Sequence, residues 1–119
     1  MIVEVRCTGN VRDVVGTPRL QYAFEGQTLR SFLEAFFADY SVEHLLIAKT
    51  ERQAAAPGWA PRPAALPGQN WQKNPEGDQT RSFARILVNG TFNEQLDGLD
   101  TELQSGDRVA LMHPFVFCV

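Results

Sequence analysis

The alternation of apolar and polar side chains predicts several strands along this chain. In residues 1–8, Met1, Val3, Val5 and Cys7 share one face, and the polar Glu4, Arg6 and Thr8 lie on the other. A period of two is typical of a strand with one buried face. The same alternation predicts further strands in residues 20–25, 84–88 and 108–112.

Turn-forming residues separate these segments. Residues 9–10 break the first strand, and the Gly-Thr-Pro of residues 16–18 marks a turn before the second. The Asn-Gly pair at residues 89–90 predicts a tight turn into a short return strand at residues 91–92. Residues 104–107 predict a further reversal before the final strand.

A single helix of about three turns is predicted after Thr28, a residue type suited to the N-cap position. The apolar positions that follow have the spacing of an amphipathic helix, and they are Leu29, Phe32, Leu33, Phe36, Phe37 and Tyr40. We expect this stripe to pack against the sheet. Residues 41–50 fit either a short second helix or a short strand, with helix favoured.

The order of these elements predicts a mixed sheet. Two strands precede the helix, and the strands that follow return to the same sheet by a right-handed crossover. The first and last strands are expected to form its central, parallel pair. The helix would then cover one face.

A proline-rich segment, residues 51–82, interrupts this arrangement. It holds five of the seven prolines and both tryptophans, Trp59 and Trp71. Proline at this density disfavours regular helix or strand. We interpret the segment as a flexible surface insertion in a single domain, residues 1–119. A docking arm anchored by the two indoles is the alternative.

Composition and charge disfavour several classes of protein. Eleven basic against fourteen acidic residues give a net charge of −3, which disfavours a nucleic-acid partner. The start of the chain does not have a signal-peptide pattern, and no segment has the length of a membrane-spanning stretch. With two cysteines a disulfide framework is not expected. We therefore expect a cytoplasmic protein that contacts neither membrane nor nucleic acid.

The C-terminal third resembles a known family. Residues 86–90 read Ile-Leu-Val-Asn-Gly, residues 96–103 read Leu-Asp-Gly-Leu-Asp-Thr-Glu-Leu, and residues 105–114 read Ser-Gly-Asp-Arg-Val-Ala-Leu-Met-His-Pro. This combination resembles the small subunit of molybdopterin synthase and the thiamine sulfur carriers. Residues 1–45 fit the same pattern.

The resemblance implies an α+β fold of the ubiquitin-like β-grasp type. Its sheet would be mixed, with four to five strands and one main helix. It also implies a carrier that is not itself a catalyst and has no cofactor. In such carriers the C-terminal glycine is adenylated by an activating enzyme and converted to a thiocarboxylate, which reacts inside a larger synthase subunit. Those two proteins are therefore the implied partners.

The last five residues depart from that family pattern. They read Phe-Val-Phe-Cys-Val, whereas the carriers end in two glycines, which thread a narrow channel without Cβ atoms. We therefore expect function through protein contacts, made by Phe115, Phe117 and Val119, with Trp59 and Trp71 as further anchors. The alternative is a non-catalytic ubiquitin-like binding module unrelated to sulfur transfer. Self-association through the tail is a further alternative.

The remaining chemical groups offer little reactivity. Cys118 is a possible persulfide-carrying thiol, although a packed apolar role is favoured for it. Cys7 lies on the predicted core face. The histidines and cysteines lack the spacing of a metal site, and the turn carboxylates are expected to accept backbone hydrogen bonds. No catalytic or metal-binding residue is therefore predicted.

Overall fold

The computed structural model describes residues 1–50, 74–75, 77–81 and 84–113. Its strands are β1 (Ile2–Thr8), β2 (Arg19–Ala23), β3 (Arg85–Val88), β4 (Thr91–Phe92) and β5 (Arg108–His113). Its α-helices are α1 (Gly9–Val15), α2 (Leu29–Asp39) and α3 (Glu43–Leu46), and two 3-10 helices span Asn93–Gln95 and Gly98–Asp100. Within these described ranges, none of the helices has the length and apolar character needed to cross a bilayer.

The five strands form one mixed sheet in the order β2-β1-β5-β3-β4. β1 pairs antiparallel with β2 and parallel with β5, with Val5 opposite Val109 across the parallel pair. β3 pairs antiparallel with both β5 and β4. The prediction of a mixed sheet built around the first and last strands is confirmed.

Helix α2 covers one face of the sheet, as its apolar stripe predicts. The Thr28 side chain accepts a hydrogen bond from the Ser31 amide at 3.2 Å, which satisfies one free donor of the first turn. The Phe32 and Phe36 rings are fully buried and stack with their centroids 5.3 Å apart. The ring of Tyr22 on β2 packs edge-on against Phe36, and its hydroxyl group donates a hydrogen bond to the Asp39 carboxylate.

A helix that the sequence pattern did not predict, α1, follows β1 directly. Residues 9–10 end the strand as expected, but the chain then makes two helical turns instead of an irregular connection. Val11 is fully buried beneath them. Gly16 ends the helix with φ +92°, and its amide donates to the Arg12 carbonyl at 2.7 Å. Only glycine adopts that conformation readily, which explains this helix end.

Both interpretations of residues 41–50 are partly correct. The short helix α3 forms, and Ile47 directly after it makes an antiparallel bridge with Thr80. On either side of that bridge, the Ala48 amide donates to Gln79 O at 2.8 Å and the Arg81 amide donates to Leu46 O at 2.9 Å. We call this pairing of residues 46–48 with residues 79–81 the insertion base.

The described end of the predicted insertion is held on the fold. The Arg30 guanidinium of α2 donates to both carboxylate oxygens of Asp78, at 2.7 and 3.1 Å. Gln79 and Thr80 are buried. Residues 51–73, 76 and 82 of the predicted insertion, and with them both tryptophans, lie outside the described residues.

The turn chemistry of the C-terminal third is as predicted. Asn89 and Gly90 both have positive φ, +52° and +84°, as in the tight turn favoured between twisted antiparallel strands. The Asn89 side chain accepts from the Arg108 amide at 2.9 Å and donates to Asp107 at 3.1 Å. Asp107 also accepts from the Gln104 amide at 2.9 Å, so this turn carboxylate serves the backbone.

Candidate functional site

The sheet has one face that no described α-helix covers, which we call the open sheet face. The three α-helices direct their buried apolar residues into the core on the other side, together with Val3, Val5 and Leu111. The alternate residues of the strands therefore lie on the open sheet face. They are Ile2, Glu4, Arg6, Thr8, Arg19, Gln21, Ala23, Arg85, Leu87, Phe92, Arg108, Ala110 and Met112.

The half of the open sheet face on β2 and β1 carries excess positive charge. Arg6 and Arg19 are direct cross-strand neighbours, and like charges in that arrangement are destabilising. Glu4 lies 3.9 Å from Arg6 Nε and 3.6 Å from Arg19 Nε, too far for a hydrogen bond with either. Arg108 is the neighbour of Glu4 on β5. The strand register thus places three arginines around one carboxylate.

Arg6 also has an unused donor. Its Nε is buried and has no hydrogen-bond acceptor among the residues that the structure describes, although 42% of its side chain is exposed. A buried N–H without an acceptor costs free energy, and a guanidinium is suited to a carboxylate that approaches from outside. The geometry therefore favours an acidic group of a partner over this part of the face.

The other half of the open sheet face is apolar. Leu87 of β3 lies between Ala110 of β5 and Phe92 of β4, and Met112 lies one pair further along. All four side chains are half-buried. Such a patch beside arginines has the composition of a protein–protein contact surface.

A buried arginine and a buried glutamate at the edge of this face were not predicted from the sequence. The alternation in β3 placed Arg85 on the polar side, but it is only 2% exposed, and Glu94 is only 6% exposed. Arg85 Nη1 donates to Ala84 O at 3.0 Å, and the guanidinium lies 5.8 Å from the centre of the Phe92 ring.

Burial dominates the electrostatics of this pair. It raises the pKa of Glu94 against the opposing effect of Arg85, and it lowers the pKa of Arg85. Arginine still keeps its proton. No local sequence pattern could reveal the pair, because its burial depends on contacts of Arg85 with residues before and after β3.

The last strand leaves the sheet beside the start of α1. Gly9 and His113 form a parallel bridge, and the Asn10 side-chain amide donates to His113 Nδ1 at 3.2 Å. The predicted tail begins directly after this point. Met112, the residue before His113, lies on the open sheet face, so the described part of β5 ends beside the apolar half of that face.

The predicted partner-binding residues lie outside the described part of the chain. They are Trp59, Trp71, Phe115, Phe117 and Val119, together with the possible thiol Cys118. Cys7 is described and is 2% exposed, as predicted for a core residue. Burial raises the pKa of its thiol to about 11, which leaves it unreactive at neutral pH. Within the described ranges, no three acidic, histidine or cysteine side chains come together as metal ligands.

Comparisons with known proteins give one family and a consistent set of folds. The model of the ThiS family matches residues 5–116. The structure is similar to small archaeal modifier protein 1 from Methanosarcina acetivorans, with TM-score 0.60, 22% identity and coverage of 97% of this chain and 93% of that one.

Two further structures are similar to the chain as well. Mycobacterium tuberculosis CysO, described as an antigen, gives TM-score 0.56 and 23% identity, with 96% of this chain and 99% of that one covered. A chain of the Amycolatopsis orientalis BexX/CysO complex gives TM-score 0.56 and 14% identity, covering 98% and 99%. No curated protein sequence matches the chain. The expected ubiquitin-like β-grasp fold is confirmed.

Proposed function

Because this chain belongs to the ThiS family, we propose that it is a small carrier-type subunit that works by docking onto protein partners and does not catalyse a reaction itself. The observation that carries this proposal is the open sheet face, with an apolar half beside clustered arginines. The described residues provide a surface of that kind but neither a reactive thiol nor a metal-ligand group.

We place the site of partner contact on the open sheet face and the tail that begins beside it. In this proposal Phe115, Phe117 and Val119 extend the apolar half, formed by Leu87, Phe92 and Met112. Continuity supports the assignment, since β5 carries Met112 on that face just before the tail starts. Apolar aromatic residues flanked by arginine are typical of the energetic centre of an interface.

Trp59 and Trp71 are proposed as secondary anchors. Both belong to the predicted insertion, and described residues on either side of it pair at the insertion base, where the Ala48 amide donates to Gln79 O. Because these flanking residues are held together, contact of the insertion with a partner would not disturb the sheet. Large indole side chains contribute disproportionately to binding energy at protein interfaces.

The partners proposed are the cytoplasmic proteins with which sulfur carriers act, an ATP-dependent activating enzyme or a synthase large subunit. Sulfur transfer of the molybdopterin or thiamine type is the family's chemistry, but residues 115–119 contain no glycine. A β-branched or aromatic side chain fits poorly in a channel shaped for glycine. We therefore propose that the chain docks on such partners without forming a thiocarboxylate. Cys118 is assigned no sulfur-carrying role.

Binding to the activating enzyme of the native source tests the proposal. Calorimetric titration would compare wild-type protein with Arg6→Glu, with Leu87→Asp and with a chain truncated after Pro114. Glu34→Lys, at an exposed position of α2 on the other side of the sheet, is the control. We expect each of the first three variants to weaken binding at least tenfold and the control to bind normally. Equal binding by all variants would refute the assigned surface.

Intact mass spectrometry tests the chemical part separately. After incubation with the activating enzyme, ATP and sulfide, we expect no exchange of oxygen for sulfur at the C-terminus. A thiocarboxylate on Val119 would contradict that part and show that this tail enters the catalytic channel. A separate incubation with polysulfide, which passes one sulfane sulfur to a thiolate and is itself shortened by one sulfur, tests the alternative: sulfur bound to Cys118 and lost in Cys118→Ser would identify a persulfide carrier.

A further inference from the structure

Strand β2 forms one edge of the sheet, and no described strand pairs with its outer side. The strand at the other edge, β4, is only two residues long, whereas β2 has five residues. An edge strand presents a row of amide and carbonyl groups with which another strand can pair. Strand β2 is therefore the edge at which this sheet is better able to accept a further strand.

The hydrogen bonds of β1 show which residues of β2 direct their backbone groups outward. The Glu4 amide donates to Asp107 O at 2.9 Å, and the Ile2 carbonyl accepts from the next residue along, Gly106, at 2.9 Å. These even-numbered residues of β1 therefore direct their backbone groups away from β2. In an antiparallel ladder, the residues opposite them direct theirs away from β1 in turn. Those residues of β2 are Arg19, Gln21 and Ala23.

One end of this outward row already has a hydrogen-bond partner. The Thr17 hydroxyl donates to Arg19 O at 3.0 Å and lies 3.4 Å from Arg19 N. The backbone groups of Gln21 and Ala23 have no such partner among the described residues, and both residues are exposed. An added strand therefore has the amides and carbonyls of Gln21 and Ala23 to pair with.

The side chains of β2 indicate what kind of strand fits beside it. On the open sheet face, the Arg19 side chain is 65% exposed and neighbours Arg6, whose buried Nε has no acceptor among the described residues. On the covered face, Leu20 and Tyr22 are half-buried and pack at the margin of the core. A strand beside β2 would place its side chains alternately next to positive charge and next to apolar surface. Acidic residues that alternate with apolar residues match both.

We propose that β2 pairs in antiparallel orientation with an extended acidic segment of a protein partner, which becomes a sixth strand of the sheet. Backbone hydrogen bonds to Gln21 and Ala23 supply affinity, and a carboxylate beside Arg19 offsets the repulsion between Arg19 and Arg6. A second copy of the chain matches less well, because both edges then carry the same excess of positive charge. The inference rests on the function proposed above only in placing a partner beside the arginines of the open sheet face.

Nuclear magnetic resonance titration of the full chain with synthetic peptides tests the proposal. The parent peptide, with both ends capped, has the sequence Glu-Val-Asp-Val-Glu-Val-Asp. A second peptide has lysine at each acidic position. Two further peptides keep the parent sequence but carry N-methyl groups, one on two acidic residues and the other on two valines. In the proposed register the amides of the acidic residues face β2, and those of the valines face away from it.

We expect saturable binding of the parent peptide, with the Gln21 and Ala23 amides becoming protected from hydrogen exchange. The lysine peptide and the peptide methylated on its acidic residues should bind at least tenfold more weakly, whereas methylation of the valines should leave binding unchanged. Arg19→Glu should weaken binding of the parent peptide at least fivefold. Arg12→Glu makes the same charge change at an exposed position of α1, which packs against β1 and β5, and should have no effect.

Protection of the Gln21 and Ala23 amides, measured in wild-type protein, supports strand addition even where Arg19→Glu folds poorly. Binding without that protection, or equal binding of the two methylated peptides, would overturn the proposal, because charge attraction alone would then explain the association. Self-association in analytical ultracentrifugation, with both amides protected in the absence of peptide, would assign the edge to a second copy and overturn it as well.

The same peptide separates this inference from the function proposed above. A chain truncated after Pro114 keeps β2 and should bind the parent peptide as wild-type protein does. If the activating enzyme fails to bind while the peptide binds with amide protection, the strand-addition site stands and the proposed function does not. If the enzyme binds while the peptide does not, the reverse holds.

Discussion

The two faces of the sheet are built from the same strands and have opposite properties. In β1, Val3 and Val5 are fully buried beneath the helices, whereas Glu4 and Arg6 between them are partly exposed. The covered face has no charged side chain from β1, whereas on the open face three of the four arginines lie around one carboxylate. The free energy of folding therefore comes mainly from the covered face. The side chains of the open face are then free to contact other molecules.

The largest expected effect comes from the centre of the covered face. Phe36→Ala removes a fully buried ring that contacts Phe32 and Tyr22, and we expect a loss of about 3–5 kcal/mol in the free energy of unfolding. Urea denaturation followed by circular dichroism measures it. Val14→Ala, at a 47% exposed position of α1, should change the same quantity by less than about 0.5 kcal/mol.

High pH tests the covered face through Cys7. Its thiol has an ordinary pKa of 9.0 and a folded-state pKa of about 11. The unfolded chain therefore ionises first, so this contribution is complete below pH 9.0 and is lost as the pH rises to about 11. We expect wild-type protein to lose about 2 kcal/mol more than Cys7→Ala over that range. Parallel slopes for the two proteins would show that Cys7 is not buried in solution.

A smaller effect is expected at the junction between α2 and the insertion base. Arg30→Gln removes the two hydrogen bonds to Asp78, but 39% of the Arg30 side chain is exposed, so we expect a loss of only about 0.5–1 kcal/mol. Hydrogen exchange should show faster exchange of the Ala48 amide and little change in β1. Arg12→Gln on α1 is the matched control. Uniformly faster exchange throughout the sheet would contradict this local role.

The smallest effect on stability is expected on the open face. Arg6→Ala removes the repulsion with Arg19 and an unused buried donor, so we expect unfolding free energy to change by no more than about 0.5 kcal/mol. Thermal unfolding at low and high salt measures this, and the difference between wild type and variant should shrink as salt screens the repulsion. If Arg6→Ala lowered the free energy of unfolding as much as Phe36→Ala does, the open face would contribute to stability as the covered face does, which would contradict the proposed difference.

Local patterns in the sequence predict the regular parts of this fold. The apolar stripe of α2 and the Asn-Gly turn are each defined by residues that lie close together in the chain, so both can be recognised from the sequence. Helix α1 was missed because it is only two turns long and begins with Gly9 and Asn10, which also end the preceding strand. Short helices are stabilised by tertiary packing, here of Val11, more than by their own sequence.

The candidate sites were much less predictable. The open face follows from the alternation, but its arginine pair depends on the register between β1 and β2. The predicted contact residues of the tail and the insertion stay predictions.

The hydrogen bond between Ala48 and Gln79 has a consequence for how this chain can vary. Because residues 46–48 and 79–81 are hydrogen-bonded to each other, the entropic cost of closing the connection between them grows only slowly with its length. Relatives could lengthen, shorten or replace that connection while the fold persists. The same position is a natural point at which to splice in a fluorescent reporter or an epitope without rebuilding the sheet.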